Sequence, residues 1–291
     1  MRIAVFGGKG FIGKEFVRIA PKEHEIFLLS RPDADVLKPK TFVEKLKVFK
    51  PDVLVNLAAR VGNLNSSIST REMFQTNTMG SLNVAYAARD AGAKGYIYAS
   101  STVVHGENKV GEHHNRFSGF APKHSYSASK AAAEYALEQF AKEQTDITLV
   151  TLRPPMVIGE GVVVPLPPVE FVRAVLQGKE IKIFGDGLHE REYVSVVDTA
   201  LGIWKAVEWS VNADKGYHPF FLTGNRISMR DLGEKVVKKF GGRVVYKSKT
   251  VQTFSLTTDP VDSKRLLGWE PHDDLDVILA DVARYAVLSK Q

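Results

Sequence analysis

Residues 2–16 read Arg2-Ile3-Ala4-Val5-Phe6-Gly7-Gly8-Lys9-Gly10-Phe11-Ile12-Gly13-Lys14-Glu15-Phe16, and this stretch decides the fold. Ile3 to Phe6 is a short apolar run of the kind that forms a buried strand. Gly7, Gly10 and Gly13 follow at G-x-x-G-x-x-G spacing, and Phe11, Ile12, Phe16, Val17 and Ile19 then recur at helical spacing. A strand that passes through a glycine turn into a helix presents unpaired backbone N–H groups, with no Cβ to hold a pyrophosphate away. The stretch predicts a dinucleotide cradle in which Gly7, Lys9, Gly10, Phe11, Ile12 and Gly13 meet a cofactor. A glycine triplet alone also fits a tight βα turn of another α/β protein, but here it opens the chain, follows a strand and starts a helix.

Working outward, Glu25–Ser30 reads as a second buried strand, Lys40–Phe49 as a helix and Val53–Leu57 as a third strand after the break at Pro51-Asp52. Continuous apolar strands alternating with helices mean a parallel sheet covered on both faces. Arg71–Ala91 reads as a long helix, Gly95–Ala99 as a strand, Ser125–Lys142 as a helix and Ile147–Leu152 as a sixth strand, in a sheet of about seven. Beyond Gly159 the rhythm is lost and prolines gather at Pro165, Pro167 and Pro168. The expected architecture is α/β, a Rossmann doubly wound parallel sheet with a smaller C-terminal substrate-binding lobe. Residues 1–158 would form the cofactor domain, also receiving 192–222, and 159–291 would form mainly the lobe.

Composition narrows the function. At 291 residues and 44% hydrophobic, the chain can bury a full core, which excludes disordered and fibrous classes. No apolar run approaches 18 residues and none resembles a secretory leader, so no membrane partner is expected. The absence of cysteine excludes disulfides, thiolate metal sites and a cysteine nucleophile, and fits a reducing cytoplasm. A net charge of +6 suits anionic small molecules. The lysines are dispersed rather than clustered, which argues against nucleic acid. No metal is expected either: His113 and His114 beside Glu112 have metal-like chemistry, but their adjacency gives poor ligand geometry and they read as solvent-facing.

The end of the second strand bears on cofactor choice, because an acid there accepts from the ribose 2′-OH whereas a cation meets a 2′-phosphate. This chain offers Ser30-Arg31, with Lys9 in the glycine loop aimed at the same place, so NADP is favoured over NAD. Both cations could equally be ordinary surface residues. Asp35 and Val36 are candidate adenine contacts.

Chemistry enters with Ser100-Ser101 and with Tyr126-Ser127-Ala128-Ser129-Lys130. Tyr126 and Lys130 at i, i+4 share a helix face, so the ammonium can favour the phenolate and make a usable base of a group with an ordinary pKa of about 10. Ser101, after a strand, can hydrogen-bond the same substrate oxygen. Taken alone, Tyr-x-x-x-Lys is common in surface helices, but behind a glycine cradle and a strand ending in Ala99-Ser100-Ser101 it points to hydride chemistry.

These motifs together resemble those of the extended short-chain dehydrogenases/reductases, in the nucleotide-sugar epimerase/dehydratase family, over essentially the whole length. The matching stretches are Gly7–Gly13, Asn56–Ala59, Asn77–Val84, Ser100–Gly106, Tyr126–Lys130, Arg153–Gly159, Gly185–Asp198 and Asp262–Pro271. The resemblance implies that Ser101, Tyr126 and Lys130 are the catalytic set, and that Leu57, Ala58, Ala59, Asn77 and Pro154 join Tyr126 and Lys130 around the cofactor. It also implies that Arg191 holds a substrate diphosphate, that Val103 and His105 lie near the substrate, and that two chains pair through their Arg71–Ala91 and Ser125–Lys142 helices as a homodimer. Ala85, Tyr86, Ala87 and Ala88 on one helix and Ala131, Ala132, Ala133, Tyr135, Ala136 and Leu137 on the other form apolar faces wider than packing on the sheet requires, and their small residues would let two helices approach closely or would pack each helix tightly on its own sheet. His105 stands where the family usually has Tyr and reads either as a substrate contact or as a satisfied polar residue at the strand end, and Met156 stands where many members have Asn. Thr102, Val103 and Val104 offer no Asp-Glu pair, which argues against a 4,6-dehydratase, and the lack of Cys argues against a GDP-fucose synthase. The expected activity is NAD(P)-dependent epimerisation of a nucleotide sugar at C4. An NADPH-dependent 4-keto reductase and a non-catalytic cofactor sensor are the alternatives.

Overall fold

The computed structural model describes residues 1–62, 67–109, 111–144, 146–162, 164–248 and 255–288. In chain order the first half comprises β1 (Arg2–Phe6), α1 (Phe11–Arg18), β2 (Glu25–Leu29), α2 (Val43–Phe49), β3 (Val53–Asn56), α3 (Thr70–Met73), α4 (Gly80–Asp90), β4 (Gly95–Ala99), α5 (Ser125–Glu143) and β5 (Thr148–Arg153). Then follow β6 (Met156–Ile158), α6 (Pro167–Leu176), β7 (Ile181–Phe184), β8 (Glu190–Ser195), α7 (Val196–Ser210), β9 (Gly216–Phe221), β10 (Asn225–Ser228), α8 (Met229–Phe240), β11 (Val244–Lys247) and α9 (Leu275–Leu288).

Six strands form one parallel sheet in the order β2-β1-β3-β4-β5-β9. The strand at 148–153 is the fifth of the chain rather than the sixth, and the sheet has six strands rather than seven. The sixth place is filled by β9, Gly216-Tyr217-His218-Pro219-Phe220-Phe221, whose proline and mixed polarity hide it among the loops of the second half. Successive strand side chains point to opposite faces. Ile3, Val5, Val53, Val55 and Ile97 pack with Phe16 of α1 and with Ile203, Trp204 and Val207 of α7. Ala4, Phe6, Leu54, Tyr96 and Tyr98 pack with Leu46, Val84, Leu137 and Phe140 on the other face. Helices on both faces define a doubly wound sheet.

A third core joins Ile158, Val172, Ile181, Tyr193, Leu232, Val236 and Leu279, from the small sheet β10-β8-β6, the pair β11-β7 and α6, α8 and α9. Between α3 and α4 the helix widens into a π-helical stretch over Phe74–Met79, so the expected long helix is a composite. Of the small and apolar residues expected to line a partner interface, Ala85, Ala87, Ala88, Ala131, Ala133 and Leu137 are buried within the single chain, whereas Tyr86 and Tyr135 stay open. The buried alanines let α4 and α5 sit close to each other and to the sheet. The apolar residues that stay open on these helices are Met79, Tyr86 and Tyr135, the last 62% exposed.

Candidate active site

Strands β1 and β3 are neighbours while the chain leaves β1 toward β2, so the order reverses between them, and in open α/β sheets ligands bind beyond the carboxyl ends at such a reversal. A cleft of about 430 Å3 lies there, lined from three strand ends: Gly7, Lys9 and Gly10 after β1, Ser30, Arg31, Asp35 and Val36 after β2, and Leu57, Ala58, Ala59 and Arg60 after β3. Gly7 has φ +77°, and a Cβ on it would sit 2.7 Å from the Ala58 amide nitrogen. A Cβ on Gly13 would strike the Gly7 carbonyl and approach the Gly8 Cα to 2.6 Å. Glycine is therefore required at both positions by close backbone approach. A cradle of this kind, open to phosphate and bordered by cations, fits a dinucleotide.

Of the residues expected around a cofactor, Gly7, Lys9, Gly10, Arg31, Asp35, Val36, Leu57, Ala58 and Ala59 line this cleft. Gly13 and Asn77 do not; they build it from behind. Asn77, fully buried in the π-helical stretch, accepts from the Arg60 N–H at 2.7 Å and donates to the Arg60 carbonyl and to Ser129 Oγ, both at 2.9 Å. Its amide is thereby used up in holding the strand end after β3. Phe11 is turned toward Gly159 and Gly161, and the Pro154 carbonyl accepts from the Thr102 N–H at 3.1 Å. Arg60 was not anticipated; its only sequence signal was its place directly after Ala58-Ala59.

Helix α5 begins at a reciprocal cap in which His124 Nδ1 accepts from the Ser127 N–H and Ser127 Oγ accepts from the His124 N–H. That start places Tyr126 in the first turn and Lys130 one turn on. Lys130 is buried, its Nζ donates to the Ala99 carbonyl at 2.5 Å and lies 4.6 Å from the centre of the Tyr98 ring. Burial draws the Lys130 ammonium down to about 7 against the opposing pull of Glu134, and pushes the Tyr126 phenol up to about 12. Ser101 caps the 3-10 turn Thr102–His105, its Oγ accepting from the Val103 N–H at 3.5 Å. The expected catalytic residues thus converge on one place, the carboxyl end of β4.

His105 is not a cleft residue. It is 1% exposed, its ring lies 5.1 to 5.5 Å from the rings of His114, Phe221 and Phe120, and its Nδ1 donates to the Gly119 carbonyl at 3.1 Å. Burial lowers its pKa to about 4. His113 is exposed, as expected, and bonds Thr257 Oγ1 at 2.8 Å and the Arg226 guanidinium at 2.9 Å, whereas His114 is half-buried and stacks on His105. The burial of His105 and His114 has one source. The loop after His105 is bridged at Asn108 and His114 to Ser255 and Thr258, a pairing across some 145 residues that local sequence does not announce. Arg191 lines a separate cleft of about 400 Å3 with Phe171, Phe184, His189 and Met229.

Behind Lys130 lies a buried polar cluster that was also not foreseen. Arg153 Nε and Nη2 donate to Glu134 Oε2 at 2.9 and 2.6 Å, Tyr217 OH donates to the same oxygen at 2.7 Å, and Ser100 Oγ donates to Oε1. The i+4 spacing of Glu134 from Lys130 was the available signal.

A parallel sheet with a glycine cradle at its reversal and a Ser-Tyr-Lys set beside it defines a nicotinamide-dinucleotide enzyme of the extended short-chain dehydrogenase/reductase class. The chain belongs to the NAD dependent epimerase/dehydratase family, whose model matches residues 3–218. It is similar to the low-salt glycan biosynthesis protein Agl12 of Haloferax volcanii, 26% identical over 93% of this chain and 94% of that protein. Similarity extends to a UDP-glucose 4-epimerase of Haemophilus influenzae, 24% identical over 97% of this chain and 96% of that protein. Among solved structures, dTDP-glucose 4,6-dehydratase from Bacillus anthracis in complex with NAD superposes with a TM-score of 0.84 at 18% identity, covering 100% of this chain and 97% of that one.

Proposed function

We propose that this protein interconverts nucleotide sugars epimeric at C4 through a transient 4-keto sugar. The observation that carries the reading is Lys130, buried one turn after Tyr126 and anchored to the Ala99 carbonyl two residues before Ser101. The full-length similarity to a UDP-glucose 4-epimerase is in accord with it. NAD(P), held by the Gly7–Gly13 cradle, Ala58 and Ala59, would accept hydride from a carbon and return it. Tyr126 takes the proton of the C4 hydroxyl, Lys130 stabilises the phenolate by its charge, and Ser101 hydrogen-bonds the same sugar oxygen. Return of hydrogen to the other face of C4, with the proton given back by Tyr126, yields the epimer with no net redox change. Arg191 would meet the diphosphate, with Phe171 and Phe184 offering apolar surface to a base, and Val103 would lie near the sugar. Residues 1–158 with 192–222 serve as the cofactor unit, in keeping with β9 completing the sheet, and the rest of 159–291 as the substrate lobe.

One observation favours a reductase that exchanges NADPH. Lys9 and Arg31 both line the cleft and, among the described residues, neither has an acidic partner. The pair would suit a 2′-phosphate, so NADP is proposed as the preferred cofactor. The open Met79, Tyr86 and Tyr135 surface on α4 and α5 supports a homodimer, and a cytoplasmic location accords with the lack of cysteine. Among the described residues no helix is long and apolar enough to cross a membrane. Turnover of a panel of UDP-, GDP- and dTDP-sugars with cofactor absorbance followed separates the readings. An epimerase converts sugar with no change in absorbance, a reductase consumes NADPH stoichiometrically, and a sensor converts nothing.

A further inference from the structure

Tyr126, Lys130 and Glu134 stand at i, i+4 and i+8 on α5, so they form one row along the helix face that meets β4. The row grips the strand end at successive residues: Lys130 donates to the Ala99 carbonyl and Glu134 accepts from Ser100 Oγ. Ser101 is the next residue. Glu134 is itself wholly buried and locked by three donors from elsewhere in the fold, Arg153 of β5, Tyr217 of β9 and Ser100 directly after β4. Arg153 is in turn boxed by the rings of Phe120 and Phe221, each 5.5 Å from its guanidinium carbon, and donates to the Arg116 carbonyl at 2.8 Å. A buried ion pair is a poor source of stability, because desolvation offsets most of the Coulomb gain. Its presence directly behind a base and its lysine calls for another account.

We propose that Glu134, held rigid by Arg153 and Tyr217, is a positioning residue of this active site: it sets Ser101 through Ser100, and its carboxylate is the counter-charge that keeps Lys130 an ammonium beside Tyr126. The inference rests on the reading of Ser101, Tyr126 and Lys130 as the reacting set. Among the described residues Lys130 has no acidic hydrogen-bond partner, its bond going to a carbonyl. The groups facing it are the Tyr98 ring from β4 and Tyr126 and Glu134 from α5, while Arg153, Tyr217 and the neutral His105 surround Glu134. Of these, Glu134 alone raises the lysine, against its burial.

The test is the titration of Lys130 in the full-length protein saturated with NAD, followed by NMR of lysines carrying 13C at the ε carbon, with Lys130→Met assigning the signal. Glu134→Gln is expected to lower the Lys130 midpoint by about one pH unit, a tenfold fall in the charged-to-neutral ratio. Because that variant strands the Arg153 charge, Glu134→Gln with Arg153→Met provides a second protein with no unpaired charge, expected to show the same downward direction. A residue that merely filled space would leave the midpoint in place, and an unmoved midpoint in the folded double variant overturns the proposal. Glu134→Asp, which retains the charge but is too short to reach Ser100, should keep the midpoint while lowering kcat about tenfold at nearly constant KM. A kcat equal to that of the parent would overturn the Ser101 half. Full turnover by Tyr126→Phe would instead defeat the functional reading, and that result leaves the Lys130 titration untouched.

Discussion

Lys130 donates its hydrogen bond to the carbonyl of Ala99, at 2.5 Å, from the helix that carries Tyr126 one turn earlier. The ammonium is thereby fixed against the strand end, and in the proposed mechanism its charge favours the phenolate. Tyr126→Phe, which removes only the titrating oxygen, should lower kcat at least about a hundredfold. Cofactor affinity measured by calorimetry should change less than about threefold, and a comparable loss of both would place Tyr126 in cofactor binding rather than in proton transfer.

Cofactor choice turns on the two cations at the cleft. A 2′-phosphate gains one or two charge-assisted hydrogen bonds from Lys9 and Arg31, at about 1.5–3 kcal/mol each, whereas NAD lacks the usual carboxylate contact at the end of β2. NADP should therefore bind at least about tenfold tighter than NAD, roughly 1.4 kcal/mol, and Lys9→Ala with Arg31→Ala should abolish the difference. Equal dissociation constants in the unmodified protein would mean that Arg31 stacks on adenine instead.

His105 makes stability depend on pH. Its pKa is lowered from 6.5 to about 4 by burial, so between those values the unfolded chain takes up a proton that the folded chain refuses. Its contribution is constant above pH 6.5 and falls as the pH drops toward 4. Urea unfolding should show a loss attributable to His105 of about 2 kcal/mol between pH 7 and pH 5. His105→Phe, which suits the surrounding rings, should flatten that part of the curve, and an unchanged slope would reject the assignment.

Gly13 is the most constrained point of the cradle. A methyl group there meets the Gly7 carbonyl and the Gly8 backbone, neither of which can yield without moving the loop. Gly13→Ala should destabilise the fold by about 2 kcal/mol and weaken dinucleotide binding. Gly119→Ala, where a Cβ meets nothing within 4 Å, is the control expected to be nearly neutral.

The open aromatic surface of α4 and α5 makes a statement about mass. Light scattering at micromolar concentration should give about twice the 32.2 kDa of one chain. Tyr135→Glu, which charges the most exposed aromatic of α5, should return the protein to a monomer. A monomeric mass in the unmodified protein would dispose of the interface.

The sequence by itself determined the parts of this protein whose causes are local. A strand, a glycine turn and a helix are encoded within residues 2–16, because chain reversal without a Cβ and burial of one helix face need nothing from elsewhere. The i, i+4 pairing of Tyr126 with Lys130 is likewise a property of helix pitch. Only the tertiary structure decided the rest. β9 became the sixth strand through pairing with β5, against its own proline and mixed polarity. His105 was sealed by the rings of His114 and Phe120 from the loop that follows it and of Phe221 from β9, and Glu134 acquired its partners from the residue after β4, from β5 and from β9, the last 83 residues away. Which of the small and apolar residues of α4 and α5 pack within the chain (Ala85, Ala87, Ala88, Ala131, Ala133) and which stay open (Tyr86, Tyr135) was likewise decided by the fold. Burial and long-range polar contacts are properties of the assembled sheet: a side chain's charge state and its exposure depend on neighbours that folding supplies and that spacing along the chain does not specify.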